Sequence, residues 1–93
     1  MDPTAQHRHL FRQLDHDISR FLELVSGTQD IAKVNIQLEK LIKNAQAIEE
    51  EGLVRDLKLL QADWGQFIRQ RSSSQLSKIQ MDALRIKHEV REL

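Results

Sequence analysis

The chain has 93 residues, and its 14 Lys or Arg balance its 14 Asp or Glu, so that its formal net charge is zero. This length is typical of one domain with one modest core. The absence of cysteine excludes a disulfide framework and a thiolate zinc site. The chain has one Trp, three Phe, no Tyr and a single Pro, so Leu and Ile must supply most of the hydrophobic core. This composition favours helices over a β-sandwich or barrel.

The first predicted helix covers about residues 3–26. Asp2 is its expected N-cap, and Pro3 is tolerated at the first helical position because its missing N–H has no partner there. Gly27 is predicted to end the helix in the left-handed conformation. A broad apolar stripe, typical of a helix that contacts two neighbours, lies between these ends. It comprises Leu10, Phe11, Leu14, Ile18, Phe21, Leu22 and Val25.

The second predicted helix covers about residues 29–51, with Thr28 or Asp30 as its N-cap. Its apolar residues are spaced by three and four, which predicts one narrow stripe that other helices must cover. They are Ile31, Val34, Leu38, Leu41, Ala45 and Ile48. The short connection to the first helix predicts an antiparallel hairpin. The run from Glu49 to Gly52 is expected to end this helix, and its carboxylates either cap the next helix or offer a patch to a basic partner.

Two further helices are predicted at about residues 53–71 and 74–93, and one long helix over both ranges is the alternative. Ser72 and Gln75 fit a capping box that starts a fourth helix, but serine is a weak helix breaker. Gly65, beside Trp64, predicts close approach of another helix or of a partner. The apolar face of the third helix comprises Leu53, Leu57, Leu60, Trp64, Phe67 and Ile68. That of the last segment comprises Leu76, Ile79, Ala83, Leu84, Ile86, Val90 and Leu93.

These patterns predict an all-α fold, an antiparallel up-and-down bundle of three to four helices in a single domain over residues 1–93. If the last two ranges are separate helices, the four helices form a closed bundle. A long third helix extends beyond its neighbours and exposes an apolar seam to a second copy or a partner helix. No stretch is long and apolar enough to span a membrane, and the first residues are too charged for a signal peptide. We therefore expect no membrane span and a cytoplasmic location.

The distribution of reactive side chains argues against an enzyme. Every serine lies in a cap-like or linker-like setting, and no glycine-rich phosphate loop or Glu-x-x-His pair occurs. His7 and His9 are two apart and point to different sides of a helix. We therefore predict no catalytic residue, no cofactor and no metal site. The mildly basic last third lacks the dense basic patch with interleaved aromatics that is typical of a nucleic-acid interface, so nucleic acid is not an expected partner.

Three short motifs occur in an order that resembles a known family. They are a turn with Leu24, Gly27, Thr28 and Asp30, the helix at residues 31–48 that is rich in Leu, Gln and Lys, and a later group of Asp63, Trp64, Phe67 and Gln70. This order resembles the N-terminal regulatory three-helix (Habc) domain of endosomal syntaxins. The chain departs from the family in its shorter connection between the second and third helices, and in Ser26 where the turn has a leading Leu.

The resemblance implies a regulatory domain of a vesicle-fusion (SNARE) protein at the cytosolic face of an endomembrane. Such a domain folds on its own SNARE segment or recruits tethering and regulatory proteins. Its binding groove would lie on the second and third helices. The chain itself carries no SNARE heptad segment and no membrane anchor, so it is expected to be the regulatory part alone.

The predicted function is a non-enzymatic protein–protein interaction module that accepts a partner helix in a groove. The alternatives are a coiled-coil structural subunit and a small helical chaperone or secretion accessory protein, whose C-terminal helix (76–93) pairs with a partner chain or a second copy. Trp64 is either a core residue or an interface hot spot. The candidate partner-binding residues are Trp64, Phe67, Leu76, Ile79, Ala83, Ile86, Val90 and Leu93.

Overall fold

A computed structural model describes residues 3–27 and 29–92, with side chains from residue 8 onward. These residues form four helices, α1 (Pro3–Ser26), α2 (Ile31–Ala47), α3 (Glu51–Gln70) and α4 (Ser73–Glu92), and the described ranges contain no strand. The predicted all-α bundle is confirmed. Of the two alternatives for the last segment, the structure has the four-helix form, and the single long helix is wrong.

The four helices form a square, in which each helix contacts only the two that flank it. α1 contacts α2 and α4, and α3 contacts α2 and α4, whereas no Cα atoms of the diagonal pairs approach within 8 Å in the described ranges. The short connections make flanking helices antiparallel, as in an up-and-down bundle. The bundle measures 47 × 21 × 17 Å. No helix in the described ranges is both long and apolar enough to cross a lipid bilayer.

One apolar core runs along the axis of the bundle. Each helix contributes residues spaced by three and four, so its apolar stripe faces inward. The buried residues are Leu14, Ile18, Phe21, Val25, Val34, Leu38, Leu41, Ala45, Ile48, Leu53, Leu57, Leu60, Trp64, Phe67, Ile79, Ala83, Ile86 and Val90. The Trp64 and Phe67 rings lie 5.5 Å apart between centroids, and the indole N–H of Trp64 donates to Asn35 Oδ1 at 3.1 Å. The polar edge of Trp64 therefore joins α3 to α2, whereas its ring pairs with Phe67 on the same helix.

A buried polar cluster links α1 to α2 beside this core. The Asp17 carboxylate is only 2% exposed, and its two oxygens accept from Gln13 Nε2 and Asn44 Nδ2, each at 3.0 Å. Gln37 Nε2 donates to the main-chain carbonyl of Asp17, also at 3.0 Å. These bonds offset the cost of burying the carboxylate. They are satisfied in only one register, so they align the α1–α2 hairpin.

The ends of α1 and α2 differ from the sequence prediction. Gly27 has no positive φ; Gln29 takes the left-handed conformation instead, with φ 54°. α2 ends at Ala47 rather than near Gly52, because Glu49 turns the chain with φ 59°. The prediction that Gly27 closes α1 in the left-handed conformation is therefore wrong, although α1 does end at Ser26, directly before it. In this fold the turns are closed by other residues, whose strain is balanced by the packing of the helices on either side.

The starts of α2 and α3 agree better with the sequence prediction than the ends of α1 and α2 do. Asp30 is the N-cap of α2, and its carboxylate accepts from the backbone N–H of Lys33 at 3.1 Å. Glu51 and Gly52 lie in the first turn of α3. Glu51 there lies at the positive end of the helix dipole, but the N-cap residue, Glu50, makes no side-chain hydrogen bond to the first turn, so the acidic run does not cap α3 through hydrogen bonds. The caps predicted at Asp2 and Thr28 lie outside the described residues.

A turn between α3 and α4 separates the two helices that the sequence could not distinguish from one long helix. Arg71 is the left-handed C-cap of α3, with φ 54°, and its N–H donates to the Phe67 carbonyl at 2.7 Å. The Ser72 carbonyl accepts from the Leu76 N–H, whereas the Ser72 and Ser74 hydroxyls hydrogen-bond each other at 2.8 Å. Gln75 Nε2 donates to Gln70 Oε1. Ser72 thus starts α4 through its backbone, and these side chains do not form the predicted capping box.

Gly65 does not mark a close approach of helices. A Cβ atom added at Gly65 would have no heavy atom within 4 Å beyond its own helix. The prediction that another helix approaches the backbone beside Trp64 is therefore wrong within this fold, and the approach of a partner there stays a prediction.

Candidate protein-interaction surface

The predicted partner-binding residues contribute mainly to the chain's own core. Six of them are buried, Leu76 is half-buried against the core, and Leu93 lies outside the described residues. The buried six are Trp64, Phe67, Ile79, Ala83, Ile86 and Val90. Because α1 and α3 pack on α4, they cover the seam that a long last helix would have exposed. A partner can reach this seam only if α4 separates from its neighbours.

Five large apolar side chains remain exposed among the described residues. They are Ile31, Ile36, Leu59, Met81 and Leu84. Met81 and Leu84 are three residues apart on α4, so they lie on one face of that helix. They are 70% and 55% exposed, respectively. We call the surface formed by Lys78, Met81, Leu84, Arg85 and His88 the outer α4 face.

Sequence reasoning missed this face. The sequence pattern places Leu84 in the inward stripe, but Leu84 lies one residue, or about 100° around the helix, from the buried Ala83. The pattern assigns no role to Met81. A helical projection of Ile79, Ala83 and Ile86 places Met81 and Leu84 outside the inward stripe of α4. The spacing of these residues is therefore the signal in the sequence that could identify the outer α4 face.

The outer α4 face carries cations around its apolar centre. Lys78 pairs with Asp63 at 3.7 Å and Arg85 pairs with Asp82 at 3.9 Å. The Lys78 and Arg85 side chains are 65% and 62% exposed, whereas those of Asp63 and Asp82 are only 26% and 25% exposed. The cations thus point further into solvent than the carboxylates. A partner that approaches Met81 and Leu84 therefore meets these two exposed cations, with the exposed Glu92 carboxylate beside His88 near the end of the helix.

Exchange of these ion pairs requires little free energy. Exposed pairs contribute about 0 to 1 kcal/mol to stability. An incoming carboxylate can therefore take over Lys78 or Arg85 without a large penalty. His88 has its own neighbour in Glu92, with Nε2 and Oε1 3.1 Å apart.

The C-terminal end of α4 is acidic where it meets the start of α3. A cavity of about 420 Å³ lies between α3 and α4, and its lining includes Glu50, Asp56, Glu89 and Glu92. The pKa of Glu89 is raised above its ordinary value, first by burial and then by the charge of Asp56 and a hydrogen bond with its carboxyl. Within the described ranges, no group of three or more His, Asp or Glu residues is placed to hold a metal ion.

Comparison of the chain with protein-family models, with curated proteins and with solved structures finds no match.

Proposed function

We propose that the chain is a non-enzymatic protein–protein interaction module and that the outer α4 face is its docking surface. The observation that carries the proposal is the adjacent exposure of Met81 and Leu84 on a helix whose inward stripe is already buried. The occupant is an amphipathic helix of a partner protein, with an apolar stripe for Met81 and Leu84 and acidic residues beside it for Lys78 and Arg85.

The expected affinity follows from the size of this surface. Full burial of an apolar side chain of this size contributes about 1.5 to 3 kcal/mol. Stable interfaces bury about 800 Å² on each partner, which two anchors alone do not supply. The proposed contact is therefore transient, and the cations contribute mainly to association rate and orientation.

Selection of binders from a library of helical peptides tests the proposal. We expect the selected peptides to be amphipathic and acidic. The double variant Met81→Asp with Leu84→Asp should weaken their binding at least about tenfold, the equivalent of 1.4 kcal/mol. The matched control is Ile36→Asp with Leu59→Asp, which changes two other exposed apolar residues by the same charge and should leave binding unchanged. Equal losses in both variants, or binders without acidic residues, would contradict the proposal.

The vesicle-fusion role implied by the syntaxin resemblance is also that of an interaction module, but with a different docking surface. It places the partner helix on α2 and α3 and the protein at the cytosolic face of an endomembrane. Exposure of Ile36 on α2 and Leu59 on α3 favours it. The same two variants separate the surfaces, because a SNARE-segment peptide that loses binding only in the Ile36 and Leu59 variant would support docking on α2 and α3.

The structural-subunit and chaperone alternatives pair the last helix with another chain through its apolar stripe. In this fold they require α4 to leave the bundle, because Ile79 and Ile86 are buried. Hydrogen exchange distinguishes them from surface docking. A partner that takes up α4 should abolish protection in the segments of α1 and α3 that pack on it, whereas a partner on the outer α4 face should leave that protection intact.

A further inference from the structure

The turn between α3 and α4 combines three serines with two arginines. Arg69 and Arg71 precede Ser74 by five and three residues, and all three of these residues are exposed. We propose that Ser74 is a phosphorylation site for a serine/threonine protein kinase whose peptide-binding groove is acidic. The inference is independent of the proposed docking surface.

The two arginines distinguish Ser74 from the serines near it. Ser77 has serines at the positions five and three residues before it, and Ser73 has Ile68 and Gln70. Ser72 has only Arg69, three residues before it, and is half-buried. Arginine presents a planar set of donors that binds carboxylates with two hydrogen bonds, so an acidic groove would favour Ser74. Neither arginine forms an ion pair within the described residues; Arg71 instead lies 5.5 Å from the centroid of the Phe67 ring.

Local opening makes this segment accessible. A kinase groove binds its substrate as an extended chain, so the last turn of α3 and the first turn of α4 must unwind. Between Phe67 and Ile79 no side chain is buried, and this is the longest such interval among the described side chains. Unwinding between these two residues therefore exposes no fully buried side chain, only Ile68 and Leu76, which are partly buried against the core. Segments with few buried contacts open at low free-energy cost. The strained left-handed backbone of Arg71 relaxes in the same step.

The reaction is a phosphoryl transfer from a nucleoside triphosphate. The Ser74 Oγ forms a bond to the γ-phosphorus as the bond between that phosphorus and the β,γ-bridging oxygen breaks. The leaving group is the nucleoside diphosphate, and the hydroxyl proton passes to a carboxylate of the kinase. The kinase and the Mg²⁺-bound triphosphate are the only co-reactants.

The product is favoured by the position of Ser74 in α4. Because α4 begins at Ser73, a phosphate on Ser74 lies in the first turn, where unpaired backbone N–H groups and the helix dipole attract negative charge. Lys78 follows four residues later, the spacing of a stabilising pair in which the acidic group precedes the basic one. Lys78 now pairs with Asp63 on α3, so the phosphate would compete with α3 for this cation.

Incubation of the full chain with Mg²⁺, ATP and an arginine-directed serine/threonine kinase tests the assignment. We expect one phosphoryl group per chain by intact mass, placed on Ser74 by fragmentation. Ser74→Ala should abolish it, whereas Ser77→Ala should be modified at the normal rate. Arg71→Gln should lower the rate about tenfold through the loss of one charge-assisted contact. The phosphorylated chain should melt about 4 °C higher than the unmodified chain.

Three outcomes overturn the proposal. The first is no transfer to the folded chain while the kinase phosphorylates its own model peptide, because the fold then shields Ser74. The second is transfer mainly to Ser72 or Ser73. The third is an unchanged rate for the variant in which both Arg69 and Arg71 are glutamine, because recognition then does not depend on the arginines.

Discussion

Glu49 closes α2 in a role that glycine usually has. Its φ is 59°, its N–H donates to the Gln46 carbonyl at 3.1 Å, and the next N–H, of Glu50, donates to the Ala45 carbonyl at 3.3 Å. This pair of bonds is the Schellman arrangement, whose left-handed residue is most often glycine because a Cβ there is disfavoured. Glu49 also places negative charge at the negative end of the helix dipole.

Glu49→Gly should therefore stabilise the protein. The left-handed conformation costs a residue with a side chain about 1 to 2 kcal/mol, part of which glycine loses again through its more flexible unfolded state. We expect a net gain of about 1 kcal/mol, or about 4 to 8 °C in Tm, by thermal unfolding. The matched control is Glu50→Gly, which removes the same charge where φ is −89° and should lower stability. A lower Tm for Glu49→Gly would contradict this account of the turn.

At the scale of the elements, the α3–α4 interface contains both attraction and repulsion. Lys78 and Asp63 pair near one end, whereas Asp56 and Glu89 bring two carboxyl groups together near the other. Burial and Asp56 raise the pKa of Glu89, so the folded chain binds the Glu89 proton more tightly than the unfolded chain does. Stability must then fall as the pH rises through that raised pKa, and recover at lower pH.

Glu89→Gln removes this pH dependence. At neutral pH we expect the variant to be more stable than the parent by about 0.5 kcal/mol, the size typical of a like-charge pair. The difference should shrink as the pH falls towards the ordinary value of 4.5 and below, where Glu89 is protonated in both states. Urea unfolding at several pH values measures this difference in the free energy of unfolding. Glu39→Gln, which removes one exposed negative charge on α2, is the control, and an equal gain there would show that net charge is the cause.

At the scale of the whole molecule, the square arrangement decides which apolar residues a partner can reach. The α4 stripe is covered by α1 and α3, so it provides no open seam for a second copy. In the described part of α4, Met81 and Leu84 are the only large apolar side chains that remain exposed, and two such residues are fewer than a stable dimer buries.

We therefore expect sedimentation equilibrium to find a monomer over a wide concentration range. Dimers that disappear in the variant Met81→Asp with Leu84→Asp would identify a second copy as the occupant of the outer α4 face. Dimers that persist both in this variant and in the variant Ile36→Asp with Leu59→Asp would contradict the closed bundle, because they would point to association through the stripe that the structure buries.

Several features were predictable from the sequence because they depend on neighbours close in the chain. The spacing of three and four set the helical class and the inward stripes, as at Val34, Leu38 and Leu41. Asp30 acts as a cap through an N–H only three residues away. The candidate site was less predictable, since a stripe in one helix does not reveal whether the chain itself or a partner covers it.

The sequence by itself determined that this is a helical bundle and which face of each helix is apolar, because helical periodicity is a local property. Only the tertiary structure decided that α4 is separate from α3 and that its stripe is covered within the chain. It also decided that Gln29, Glu49 and Arg71, rather than glycines, take left-handed conformations in the turns. The reason is that a turn must accommodate the packing angle of two helices, and that angle depends on contacts between residues far apart in the chain.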